Sequence, residues 1–69
     1  MSSVLVNVNG ESRAVPAGST VEQVVGSVTA LASGVAAAVN GDVVPRRLWA
    51  ATEVRDGDLV EVVTAVQGG

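Results

Sequence analysis

The sequence has no cysteine, histidine, lysine, tyrosine or phenylalanine, and its only aromatic residue is one tryptophan. Without cysteine the chain has no disulfide and no thiolate nucleophile. Without histidine it lacks the commonest metal ligand and the usual general base near neutral pH. These absences argue against an enzyme that carries its own catalytic groups. We therefore expect a protein without intrinsic catalytic residues, bound cofactor or metal site.

The charge balance is acidic, with four basic and seven acidic residues, a net charge of -3 and a pI near 4.4. The absence of a basic cluster and of an aromatic stacking platform argues against nucleic-acid binding. The acidic balance disfavours anionic membranes, and the longest apolar run, Val35–Val39, is too short to span a bilayer. Because the first residues also lack a positive segment, we expect no signal peptide and a cytoplasmic location.

The length of 69 residues allows one domain, and an apolar content of 48% is too high for a disordered chain. We predict a folded domain over residues 1–66 and a flexible tail over residues 67–69. Within the domain, residues 4–8 alternate as a half-buried strand does. Asn9-Gly10 favours a tight hairpin turn, and residues 12–15 resume an extended pattern before Pro16.

A helix is predicted to begin after Ser19-Thr20, where two capping boxes overlap, Ser19 with Glu22 and Thr20 with Gln23. One apolar stripe follows at helical spacing, and Ser33-Gly34 is expected to end the helix. The residues of the stripe are Val21, Val24, Val25, Val28 and Leu31. Valine and Gly26 are poor helix formers, so burial of the stripe must stabilise this helix.

The second half of the chain is predicted to be mainly extended. Val35–Val39 indicates a strand that ends at Asn40-Gly41, and a short strand at residues 43–44 stops before Pro45. Residues 46–52 are predicted to be irregular or a single helical turn. Asp56-Gly57-Asp58 is typical of a turn rather than a metal site, and residues 59–66 form the longest predicted strand.

One helix covers one face of a sheet, so this order predicts an α+β layer whose other face is open. In the last strand Leu59, Glu61, Val63 and Ala65 share the side away from the helix. Leu5, Ala36 and Ala38 are candidates to extend that side. Two interpretations remain open, ordinary scattered apolar residues and a patch that binds a partner.

The chain ends with Gln67-Gly68-Gly69 directly after the last predicted strand. Three extended residues reach about 10 Å, and two glycines form a thread narrow enough for a tunnel that excludes side chains. A frayed terminus is the alternative interpretation. Placement directly after the final strand favours a function for this tail.

Taken together, these segments resemble the ThiS family of ubiquitin-like sulfur carriers of thiamin (thiazole) biosynthesis. The resemblance covers essentially the whole chain, is weakest between Gly26 and Gly34, and has Gln67 where a third glycine often stands. The matching segments are Val6-Asn7-Val8-Asn9-Gly10-Glu11, Gly18-Ser19-Thr20-Val21, Val39-Asn40-Gly41-Asp42-Val43-Val44-Pro45-Arg46, Asp56-Gly57-Asp58, Val60-Glu61-Val62-Val63-Thr64-Ala65-Val66 and Gly68-Gly69.

The resemblance implies a β-grasp fold, a mixed sheet of four to five strands with one main helix on one face. It also implies that an adenylyltransferase, similar to ubiquitin-activating enzymes, uses ATP and magnesium on the terminal carboxyl group of Gly69. A persulfide-bearing protein would then supply sulfur, and the thiocarboxylate of Gly69 would donate it to a thiazole synthase. Gly68 would provide clearance for the tail.

Three other functions remain open from the sequence. They are a carrier similar to the small subunit of molybdopterin synthase, a ubiquitin-like protein modifier, and a β-grasp binding module without carrier chemistry. The absence of lysine excludes polymers linked through lysine but not attachment to other proteins. The segment from Asn40 to Arg46 is more similar to the thiazole branch.

Candidate partner-binding residues are Val63 and Ala65 on the open face and Arg46 and Arg47 after Pro45. The arginines allow two interpretations, a docking site for acidic residues of a partner and solvated charge beside Trp49, which would cap the core. The second is the simpler. Glu61 is either a rim contact or ordinary outward polarity.

Overall fold

Within residues 2–30 and 33–64, the part of the chain that the computed structural model describes, five strands form one sheet with a single α-helix. The strand order is β2-β1-β5-β3-β4, with β1 and β5 parallel and the other neighbours antiparallel. This confirms the predicted mixed sheet with one main helix. The strands are β1 (Ser3–Val8), β2 (Glu11–Pro16), β3 (Val35–Val39), β4 (Asp42–Val44) and β5 (Leu59–Thr64).

Two Asn-Gly turns join the antiparallel pairs. Asn9 and Asn40 both have a φ of 52°, and Gly10 and Gly41 both have a φ of 87°. These left-handed angles are those that a two-residue turn needs to match the twist of its strands, and glycine and asparagine tolerate them best. The hairpin predicted at Asn9-Gly10 is confirmed, and the strand end predicted at Asn40-Gly41 is a hairpin as well.

The helix α1 (Val21–Val28) begins with the second of the two predicted capping boxes. The Thr20 hydroxyl accepts a hydrogen bond from the Gln23 backbone N–H, and the Gln23 side chain accepts one from the Thr20 N–H. The box with Ser19 is not used, because the Ser19 hydroxyl instead donates to the Pro16 carbonyl at 2.6 Å.

The predicted end of the helix is wrong. The sequence pattern extends the helix to Ser33-Gly34, but Thr29 is already extended, with φ -146° and ψ 149°. Thr29 is β-branched, and the chain must still return to the sheet where β3 begins at Val35. The need to return to the sheet overrides the helical spacing of the apolar residues. Leu31, the last residue of the predicted stripe, lies outside the described residues.

The core lies between α1 and one face of the sheet. Trp49 closes it from the 3₁₀ segment Arg46–Ala51, where the sequence leaves an irregular segment and a single helical turn open. Valine dominates the core because it fits both the pleated sheet and the apolar stripe of α1. The buried hydrophobic residues are Val6, Val8, Val21, Val24, Val25, Ala37, Trp49, Val54, Val60 and Val62.

Candidate functional site

Strand β5 lies at the centre of the sheet and presents two different faces. Val60 and Val62 are buried under α1, whereas Leu59, Glu61 and Val63 point to the opposite, solvent-exposed side. The faces predicted for these residues are therefore confirmed. Strand β5 extends to Thr64, and the predicted continuation through residues 65–66 lies outside the described residues.

The face of the sheet away from α1 is apolar and exposed. Val63 is 62% exposed, Leu59 55% and Leu5 56%. Ala36 stands beside Val63 in the register of β3 and β5, and Ala38 stands beside Glu61. We call this surface, formed by Leu5, Ala36, Ala38, Leu59, Glu61 and Val63, the open face. Glu61 is an exposed acidic residue among these apolar neighbours.

Arg46 packs on the tryptophan that closes the core. Its guanidinium carbon lies 5.1 Å from the centroid of the Trp49 ring, within the range of a cation–π interaction. The indole N–H of Trp49 donates to the Val44 carbonyl at 2.8 Å, and this bond fixes the ring. Arg46 is thus an exposed charge beside a tryptophan that caps the core. Docking of acidic residues remains a prediction.

A shallow groove brings Arg46 and Val63 together. It has a volume of about 430 Å³, and Ser33, Gly34, Val35 and Ala36 line it with those two residues. Two candidate residues from distant parts of the sequence thus share one surface at the edge of the open face. Arg47 is exposed on the 3₁₀ segment and is not part of this groove.

Three further predicted site residues, Ala65, Gly68 and Gly69, lie outside the described residues. What the structure shows is the strand that leads to them. Thr64, the last described residue of β5, pairs with Val35 of β3, so the chain is held by the sheet up to this point.

The two acidic residues of the Asp56-Gly57-Asp58 segment bind backbone amides. The Asp56 carboxylate accepts from the Leu5 N–H at 2.8 Å, and the Asp58 carboxylate accepts from the Arg55 N–H at 2.8 Å. Asp58 also accepts from the Asn40 side chain. Both carboxylates thus form hydrogen bonds of the kind found in turns, in agreement with the turn that the sequence pattern indicates. No group of three His, Cys, Asp or Glu side chains suited to a metal occurs in the described residues.

Sequence reasoning missed the roles of the asparagine side chains in the two turns. The Asn9 amide forms two hydrogen bonds with the backbone of Val62, and the Asn40 amide accepts from the Leu59 N–H. Both asparagines therefore hold β5. The Asn-Gly pairs signalled turns, but nothing in a local pattern indicates backbone partners that lie 53 residues from Asn9 and 19 residues from Asn40 along the chain.

None of the helices in the described ranges has the length and apolarity to cross a membrane.

The chain matches the ThiS family over residues 6–69. The sulfur carrier protein ThiS of Escherichia coli is 33% identical over 61 residues, which are 88% of this chain and 92% of that protein. A thiazole synthase of Paramagnetospirillum magneticum is 37% identical over 62 residues, 90% of this chain, but the chain spans only 19% of the length of that synthase.

The fold has a solved counterpart. The crystal structure of the thiamine biosynthesis protein ThiS from Geobacter metallireducens superimposes with a TM-score of 0.76 at 32% identity, covering 96% of this chain and all of that one. This likeness confirms the predicted ubiquitin-like β-grasp fold. With a family match over nearly its whole length and relatives of matching size, the chain belongs to the ThiS family.

Proposed function

We propose that this chain is a sulfur carrier of thiamin biosynthesis and that the carboxyl group of Gly69 carries the sulfur. The observation that supports this most strongly is the match to the ThiS family, which runs from residue 6 to residue 69 and so includes the Gly-Gly end. Partner enzymes bind the folded domain, and the tail carries the reacting group.

The chemistry of a carboxylate explains why the carrier needs an activating enzyme. A free α-carboxyl group has a pKa of about 3.5, so at neutral pH it is an anion that nucleophiles do not attack. An adenylyltransferase joins it to AMP, using ATP and magnesium and releasing pyrophosphate, which gives a mixed anhydride with a good leaving group. A persulfide sulfur attacks the carbonyl carbon and displaces AMP, and a thiol then reduces the acyl disulfide to the thiocarboxylate.

This scheme assigns every acid, base and metal ligand to the partners. The chain itself supplies the carboxyl group of Gly69 and the narrow path that Gly68 allows. The composition of the chain, without histidine or cysteine, suits a protein that serves as substrate and carrier rather than as catalyst.

Thiazole synthase is the proposed recipient of the sulfur. Support comes from the Paramagnetospirillum magneticum thiazole synthase, about a fifth of which is similar to nearly the whole of this chain. In that protein a carrier-like segment is part of the same polypeptide as the synthase, and such a link raises the effective concentration of one for the other. This observation favours the thiazole branch over a molybdopterin-type carrier.

The open face and the groove beside it are the proposed docking surface for the adenylyltransferase and the synthase. Exposed Leu5, Leu59 and Val63 offer the apolar centre that such an interface needs. Arg46, which lines the groove with Val63, provides a cation at its edge for an acidic residue of a partner. Arg47 is proposed to contribute charge to the rim, and Ala65 to extend the apolar surface.

Intact mass spectrometry tests the proposed function directly. The chain is incubated with a ThiS adenylyltransferase, ATP, magnesium, a persulfide donor and a thiol. We expect the mass gain of one oxygen-to-sulfur exchange on the full chain. We expect no gain on a variant lacking Gly69, whose circular-dichroism melting curve should match that of the full chain. Absence of the gain from the full chain with an active partner would overturn the proposal.

A further inference from the structure

The parallel pairing between β1 and β5 is short. Only Asn7 with Leu59 and Val8 with Val60 are in register among the described residues, because the chain leaves β1 at the Asn9-Gly10 turn. Strand β5 nevertheless continues to Thr64, where β3 still accompanies it on its other side. Beyond Val60, the backbone N–H and C=O groups of β5 that face the β1 side therefore need a hydrogen-bond partner other than a strand.

The side chain of Asn9 takes the place of the missing strand. The backbone N–H of Asn9 donates to the Val60 carbonyl at 3.0 Å. Its amide nitrogen donates to the Val62 carbonyl at 3.1 Å, and its amide oxygen accepts from the Val62 N–H at 2.8 Å. A carboxamide offers the same donor and acceptor as a peptide group, so it continues the ladder by one step.

Val62 is the last described residue of β5 that is held from the β1 side. This clamp, the pair of hydrogen bonds between Asn9 and Val62, thus lies near the end of β5 that leads to the tail, just before Thr64, which β3 holds from the other side. The rate of a reaction between bound groups depends on the direction of the chain that carries them, since a misplacement of the reacting group by about 1 Å can lower the rate about a hundredfold.

We propose that Asn9 is a positioning residue for the carboxyl group of Gly69. By fixing both backbone groups of Val62, Asn9 orients the part of β5 that leads to the tail as the adenylyltransferase requires. This inference rests on the proposed carrier function. It adds a role for a residue on the first hairpin, far along the sequence from the group that reacts.

The second Asn-Gly turn supplies a matched control. Asn40 has the same φ of 52° and is also bonded to β5, but at Leu59, the opposite end of the strand from the tail. Asn9→Gly and Asn40→Gly both remove an amide that binds β5. Glycine tolerates the left-handed angle at both positions, so both turns are kept. Only the first substitution removes a contact at the end of β5 that leads to the tail.

The experiment measures kcat and KM for adenylation of the carrier by the adenylyltransferase, with melting curves for every variant. We expect Asn9→Gly to lower kcat at least about tenfold with little change in KM, because the docking surface is intact while the carboxyl group is misplaced. Asn40→Gly should keep a kcat near that of the unmodified chain. Asn9→Asp keeps the acceptor for the Val62 N–H and loses the donor, so its kcat should lie between the two.

Equal effects of Asn9→Gly and Asn40→Gly on kcat, or an effect of Asn9→Gly on KM alone, would overturn the inference while leaving the carrier function in place. If Asn9→Gly is unfolded at the assay temperature, Asn9→Asp is compared with Asn40→Gly by the same criterion. No adenylation of the unmodified chain would instead overturn the proposed function and this inference with it.

Discussion

Arg46 and Arg47 are neighbours in the sequence, but their side chains have different surroundings. Arg46 stacks on Trp49 and lines the groove beside Val63, whereas Arg47 is exposed without either contact. The ring of Trp49 is fixed by its hydrogen bond to Val44, so stacking on it requires little further ordering. The two arginines therefore separate the effect of the stacking interaction from the effect of charge.

We expect Arg46→Ala to lower the free energy of unfolding by about 0.5–1 kcal/mol, the usual contribution of an exposed cation–π pair. Arg47→Ala, which removes the same charge, should change it little. Urea denaturation followed by the fluorescence of Trp49 measures both, with circular dichroism as a check because Arg46 touches the fluorophore. Equal changes for the two variants would show that the stacking contributes nothing.

The helix α1 depends on burial more than on its own propensity. Five of its residues have low helix propensity, since it contains four valines and Gly26. Val21, Val24 and Val25 are buried against the sheet, and the capping box of Thr20 and Gln23 fixes the first turn. With eight residues, the helix is too short to be stable in isolation.

Val24→Ala should lower the free energy of unfolding by about 2 kcal/mol, from lost apolar burial and the small cavity left behind. The control is Val43→Ala on β4, where the valine is 74% exposed, against 1% for Val24. Chemical denaturation of both variants gives the comparison. If Val24→Ala lowered the free energy of unfolding by less than Val43→Ala does, the helix would not depend on this contact.

The strands, the turns and the start of the helix could be predicted from the sequence because their signals are local. Alternating valines mark β1 and β5, Asn-Gly marks both hairpins, and Thr20 with Gln23 marks the N-cap. The end of α1 could not be predicted, because the apolar stripe continues to Leu31 while the chain must turn back toward β3.

Part of the candidate site followed from the same local signals. The outward position of Val63 comes from the period of two along β5. The groove shared by Arg46 and Val63 and the clamp of Asn9 on Val62 depend on contacts between distant segments. Local patterns carry no information on such contacts, so they had to come from the structure.

Docking through β5 can be tested by placing a charge on the open face. We expect Val63→Asp to weaken binding to the adenylyltransferase about tenfold or more, because a carboxylate would be desolvated in an apolar contact beside Glu61. Because Val63 is 62% exposed, the fold should be retained. Val43→Asp is the same change at the margin of the open face, on the edge strand β4 beside Ala38, and it should weaken binding much less.

Binding of both variants is measured by titration calorimetry, after their melting curves have been compared. Equal weakening by the two substitutions would mean that the interface is not centred on β5. Unfolding of Val63→Asp would contradict the exposure of this residue.

The molecule as a unit combines a folded domain with a tail that carries the proposed chemistry. Burial of valine on one face of the sheet stabilises the domain, and the other face and the groove, which we propose as the docking surface, are exposed. The division between a domain that is recognised and an end that reacts is the central claim for this protein.

A comparison of two chemically distinct ends tests that claim most directly. The chain is prepared with a free carboxylate at Gly69 and, by semisynthesis, with a C-terminal amide, and each form is supplied to the complete thiazole-forming system. The amide keeps the domain, the open face and both glycines but has no carboxylate to join to AMP. We predict thiazole formation and a thiocarboxylate for the acid and neither product for the amide. Equal thiazole formation from the two forms would contradict the account.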